Sequence, residues 1–203
     1  MRFAIIIFVL LIFAMGALPI MLMRRDAPGL TAITDSLIDD FSGRPGIASI
    51  GTRWLGVHGK KVVPADRHLL DWKEVDGRKV MTIRARVSKE DEVPFQVALP
   101  LDPQGNYVDA SDFTGIRVLA RGNGREYYLQ IKTARTERPW KYYQKGFKPT
   151  DDWESFDLPF NQFVHVDVLK PIQTDALSSI VISAPAGDYD ANLALARIEF
   201  YKE

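Results

Sequence analysis

The chain contains no cysteine. This excludes disulfides, a thiolate nucleophile, Cys-ligated zinc and a lipid-modified cysteine anchor. Net charge is also missing, since 26 Lys and Arg balance 26 Asp and Glu. A duplex-binding domain usually carries a basic excess or stripe, so no nucleic-acid partner is expected. Histidine is scarce, at three residues. His58 and His68 have no evident partner, and the H-x-D pair His165 and Asp167 reads as a surface pair rather than a metal site. No G-x-S-x-G turn is present, and Ser42 in "DFSGRPG" reads as a turn residue. No catalytic constellation is recognised, and neither a cofactor nor a resident metal is expected.

What remains is ordinary globular material: 46% apolar, 11% aromatic and 26% charged in 203 residues. That is enough for one domain with a sizeable core. Phe3–Met23 carries no charge. At about 1.5 Å per residue it spans roughly 31 Å, against a hydrocarbon core of about 30 Å. Arg24 and Arg25 follow it at once. Residues 1–25 therefore read as a membrane anchor, with a cleaved signal as the alternative because Ala14 and Gly16 offer small residues for cleavage. Residues 26–35 read as a tether. The domain, 36–203, is expected on the extracytoplasmic side of a single-pass protein.

From Lys79 onward the pattern is β. In "VMTIRARV", Met81, Ile83, Ala85 and Val87 take one face and Thr82, Arg84 and Arg86 the other. Ile116, Val118 and Ala120 point inward in "GIRVLAR". Tyr127, Leu129 and Ile131 do so in "REYYLQIKT", which leaves Gln130 and Lys132 toward solvent. Gly122–Gly124, "GNG", between these two strands reads as a tight hairpin. Short strands also fit Pro94–Leu101, Trp140–Phe147, Trp153–Phe160, Ser178–Ala184 and Asn192–Tyr201, whereas "ADRHLLDW" reads as a loop or helical turn. Short strands with polar turns predict an all-β antiparallel sandwich, preceded by the one apolar transmembrane helix.

These residues resemble a known family. Asp112 and Gly115, then a Gly-x-Gly-Arg turn at Gly122, Gly124 and Arg125, then Tyr143, Gln144 and Phe147, then Trp153 with Leu158, Pro159 and Phe160, stand in the order of the complex I intermediate-associated protein 30 family. The match is clearest over Asp109–Val164. The resemblance implies a galactose-binding-like jelly roll and a non-catalytic, chaperone-like role in assembly of respiratory complex I. Its partner would be a protein, such as a subunit of that complex. Two features depart from the family pattern. "GTRWLGVHG" (Gly51–Gly59) replaces an Asp-Gly-Val-Met-Gly-Gly-x-Ser-like stretch, and Asn123 replaces an acid of the glycine turn.

Candidate binding residues are the aromatics. Trp140 and Tyr142, with Arg138 beside them, fit an exposed patch for a protein partner or, alternatively, a cell-envelope glycan. Pro139 would place Trp140 at a loop-to-strand corner, and Trp54 in the divergent loop is a further candidate. Asp39–Asp40, residues 90–92 and Asp151–Asp152 read as solvated loop acids; Asp188 and Asp190 are the alternative calcium ligands. The anchor reading predicts that full-length protein pellets with membranes and resists alkaline carbonate. Recovery mainly in the soluble fraction, with a new N-terminus near Ala17, indicates a cleaved signal instead.

Overall fold

The computed structural model describes residues 28–58, 61–64, 70–89, 95–136, 138, 140–168 and 170–203. The apolar segment 3–23, His68, residues 90–92 and Pro139 lie outside the described residues. No helix among the described residues is long and apolar enough to cross a membrane. The strands are β1 (Leu30–Ala32), β2 (Leu37–Asp39), β3 (Leu55–His58), β4 (Lys61–Pro64), β5 (Leu70–Val75), β6 (Arg78–Val87), β7 (Gln96–Pro100), β8 (Tyr107–Asp109), β9 (Gly115–Gly122), β10 (Tyr127–Thr133), β11 (Tyr142–Phe147), β12 (Glu154–Pro159), β13 (Val164–Val166), β14 (Leu177–Ser183) and β15 (Tyr189–Tyr201).

They form two sheets. One runs β13-β11-β10-β14-β7-β3-β4, with β8 on β14 and β1 on β8; the other runs β12-β9-β15-β6-β5, with β2 on β15. Alternation explains the layers. Ile116, Val118 and Ala120 of β9, Tyr127, Leu129 and Ile131 of β10, and Leu193, Leu195 and Ile198 of β15 are fully buried in one core between the sheets. Met81, Ile83 and Val87 join them from β6.

Three local expectations are corrected. Leu30–Ala32, within the presumed tether, pairs in parallel with β8. Leu70–Trp72, the end of "ADRHLLDW" expected as loop or helical turn, open strand β5 instead. It turns into β6 through Asp76 (φ 51°) and Gly77 (φ 73°), a two-residue loop of mirror-image type. The "GNG" turn is not a hairpin: β9 pairs with β12 and β15, whereas β10 pairs with β11 and β14. The chain instead arches from one sheet to the other. Gly122 N–H donates to the Thr150 carbonyl at 2.6 Å, and Gly124 N–H, at φ +72°, donates to the Pro149 carbonyl at 2.9 Å. A Cβ on Gly122 would sit 2.9 Å from Pro149 Cγ, so only glycine lets this segment lie under the arch. Asn123 Nδ2 donates to the Asp190 carbonyl at 2.8 Å, while its Oδ1 accepts from Tyr127 Oη–H at 3.0 Å. An acid could accept from the tyrosine but would have no donor for that carbonyl.

Trp54 is also corrected, from binding residue to core. It is fully buried, stacks near Phe41 at 6.1 Å and donates its indole N–H to Asp39 Oδ2 at 2.7 Å. Asp39, expected as a solvated acid, is 1% exposed. Its Oδ1 accepts from the backbone N–H groups of Phe41 (2.9 Å) and Ser49 (3.2 Å) and from the Ser49 hydroxyl. Burial pushes the Asp39 carboxyl up, and these four donors oppose the shift.

Gln130 is the last correction. It lies opposite Leu129 as expected, but it is only 4% exposed and donates from Nε2 to Ser183 Oγ at 3.0 Å. Leu129→Ala is expected to destabilise by about 2–5 kcal/mol in denaturant melts. Gln130→Ala is expected to cost about 1 kcal/mol through its lost hydrogen bond. A larger loss at 130 than at 129 would overturn this register.

Candidate functional site

The two outward faces of the sandwich differ in chemistry. On the six-stranded sheet three arginines are paired with acids from other strands or turns. Arg117 meets Asp157 at 2.6 Å, Arg121 meets Asp76 at 2.6 Å and Arg86 meets Asp190 at 3.1 Å. Trp153 lies beneath Arg78 and Arg121, each 5.8 Å from its ring centre, and its indole N–H donates to Asp76 Oδ2 at 3.2 Å. These arginines sit on a solvated surface and already have partners.

Among the described side chains, the outward face of the nine-stranded sheet carries few charges. The register β13-β11-β10-β14 places Val164 beside Gln144, Gln130 and Val181, and places Tyr142 beside Val166. Val181 and Ser183 are 5% and 2% exposed although they point away from the core. A layer of amides, hydroxyls and tyrosine rings therefore closes over the strands. Toward one end, Tyr128 Oη–H donates to Glu126 at 2.9 Å. The Glu126 carboxylate stands where a Cβ on Gly146 would be, at 2.7 Å, so glycine there admits the pair.

The other end holds the aromatic patch. The large apolar side chains markedly exposed among the described residues are Leu30 (62%), Trp140 (53%) and Val164 (64%). All belong to this sheet or to the turn leading into β11. That turn is closed by the Lys141 N–H donating to the Arg138 carbonyl at 3.0 Å. The Arg138 guanidinium lies 5.5 Å from the Trp140 ring centre, so cation and ring meet in solvent. The structure thus brings Arg138 and Trp140 together, leads directly into half-buried Tyr142, and removes Trp54 to the interior. Sequence reasoning missed Lys132. Its ammonium lies 5.4 Å from the Tyr142 ring and donates to the carbonyls of Lys141 (2.7 Å) and Arg138 (3.3 Å). Burial lowers it to about 8.

Elsewhere, a cavity of about 380 Å³ lies under Thr31–Leu37 against Ile50, Leu101 and Phe200. Its Asp102 is engaged by the Thr31 hydroxyl and by the N–H groups of Gln104 and Asn106. Asp188 and Asp190, the calcium candidates, face Lys89 and Arg86. Among the described residues no three His, Asp or Glu side chains converge as a metal site would require.

Comparison with known proteins decides the family. The model of the complex I intermediate-associated protein 30 family matches residues 70–183, more than half of the chain. The chain belongs to that family. The match extends beyond the motifs of Asp109–Val164 to take in β5, β6 and β14. No curated protein sequence matches. Among solved structures, the chain is similar to the family 11 carbohydrate-binding module of the cellulosomal cellulase Lic26A-Cel5E of Clostridium thermocellum. Identity is 15%, TM-score 0.63, with 85% of this chain and 97% of that one covered. The Clostridium thermocellum family 11 module in complex with a β-1,3-1,4-mixed-linked tetrasaccharide is 17% identical, with TM-score 0.61 and 85% and 98% covered. A family 30 carbohydrate-binding module is 13% identical, with TM-score 0.53 and 66% and 83% covered. These likenesses establish the fold, a galactose-binding-like jelly-roll sandwich, and at such identities nothing about a ligand.

Lys132 gives a measurable consequence. Its amine is expected to titrate at about 8 by NMR, below the ordinary 10.5. The unfolded chain then holds more protons between these values, so this group's contribution to stability rises as pH rises from about 8 to 10.5. That rise should vanish in Lys132→Met, and an Nζ midpoint near 10.5 would contradict the burial.

Proposed function

We propose that the protein is a non-catalytic, membrane-anchored binding factor that holds a protein partner during assembly of a respiratory complex of the complex I type. Residues 3–23 are the anchor, and the sandwich stands on the extracytoplasmic side. The contact surface is the outward face of the nine-stranded sheet, with Trp140, Tyr142 and Arg138 as its patch.

The observation that carries this reading is Trp140, 53% exposed and stacked by Arg138, beside a sheet face that shows no charge pair among the described residues. A large ring and a guanidinium are the side chains that anchor protein interfaces most often. An exposed cation–ring pair contributes only about 0.5–1 kcal/mol to the fold, so it is available for a partner at little cost to stability. Membership of a family named for association with complex I intermediates supports the class of partner. The reading needs no cofactor.

A glycan ligand is the second reading. Tyr128 and Gln144 present a ring and a neutral amide on one face, as a polyhydroxylated ligand requires. The fold shared with carbohydrate-binding modules makes this worth testing.

Affinity purification from solubilised membranes separates the two. Trp140→Ala is expected to weaken partner recovery by about 2 kcal/mol or more. Its melting temperature should stay within about 4 °C of wild type. Unchanged recovery with the domain intact would contradict the patch. Retarded migration in glycan-containing gels, lost on Tyr128→Ala, would favour the second reading.

A further inference from the structure

The ladder between β10 and β11 is regular as far as Ile131 opposite Tyr143 and then stops. β10 is also irregular against β14, between Lys132 and Thr133. Beyond that point, side chains take over the loop's backbone groups. Thr136, 4% exposed, accepts from the Thr133 N–H at 2.7 Å and donates its hydroxyl to the Thr133 carbonyl at 3.0 Å, which pins the first half of the loop. The second half is the turn Arg138–Lys141. Its two flanking carbonyls, Arg138 O and Lys141 O, both accept from the Lys132 ammonium.

We propose that Lys132 is the positioning residue of the contact patch: its ammonium clamps both ends of the Trp140 turn to β10 and so fixes Trp140 and Arg138 in their outward display. The proposal rests on the reading of that patch as a binding surface, but it concerns geometry the protein has alone. Three features support it. The ammonium reaches carbonyls on either side of Trp140 in sequence. It lies beneath the Tyr142 ring, which limits where the side chain can go. Burial of the amine makes its donors costly to leave without acceptors, so the loop carbonyls and the ammonium depend on one another. A preordered turn also spares a partner the entropy of immobilising it.

The test uses Trp140 emission in the full chain, obtained by subtracting the Trp140→Phe signal in each background. In wild type the Trp140 component should show slow depolarisation, tracking the tumbling of the domain. Lys132→Met should abolish that slow component and reduce partner recovery. Lys132→Arg, which keeps a charged donor fork, should restore both. Should the methionine variant fail to fold, Lys132→Gln, whose shorter side chain reaches neither carbonyl, replaces it against Lys132→Arg. Slow depolarisation preserved in the folded methionine or glutamine variant overturns the proposal. Loss of slow depolarisation with partner recovery intact upholds the clamp and removes the patch from the binding reading.

Discussion

The constraint on which the structure depends is the crossing between β9 and β10. Two consecutive amphipathic strands, joined by four residues, Asn123 to Glu126, must lie in different sheets with their apolar faces opposed. Gly122 and Gly124 allow the passage by lying against Pro149 and Thr150, and Asn123 bridges to the Asp190 carbonyl and to Tyr127. Once the crossing is made, β9 sits between β12 and β15 and β10 between β11 and β14. The remaining strands extend a core whose two layers are already facing each other. Phe147 closes it at the arch end, tilted against both Tyr127 and Phe156 at 6.2 and 5.5 Å.

The same crossing determines which surfaces are left for function. Both inward faces are consumed by the core, so anything that binds must do so on an outward face, an edge or a loop. The outward face of the six-stranded sheet is partly occupied with itself, with Arg117, Arg121 and Arg86 matched to Asp157, Asp76 and Asp190. The outward face of the nine-stranded sheet has amides, tyrosines and exposed apolar side chains, with Lys132 turned to its own loop. The family is named for association with complex I intermediates, and the fold is shared with carbohydrate-binding modules.

Alternation made the inward residues of β6, β9 and β10 readable, because period two is imposed by the strand itself. The Asp76–Gly77 dipeptide is equally readable, since it marks the β5–β6 hairpin unaided. The arch was not readable from its own residues. Gly-Asn-Gly suits a hairpin and an arch alike, and the choice is made by carbonyls nearly thirty residues later, at Pro149 and Thr150. Trp54 failed for a similar reason. A tryptophan in a polar loop looks exposed until Asp39, on another strand, supplies an acceptor inside. Gln130 showed that an outward residue need not be solvated when neighbouring strands seal the face. The exposed stacking of Trp140 and Arg138 fits the local sequence, whereas Lys132 depends on where the loop folds back.

The account's central claim is that one outward face binds and the other does not. Site-specific photocrosslinking in native membranes tests it most directly, with the photoreactive residue placed either at Gln144, on the outward face of the nine-stranded sheet, or at Arg84, on that of the six-stranded sheet. The account predicts a discrete adduct from position 144 and none from position 84. An adduct from position 84, with position 144 silent, would contradict it.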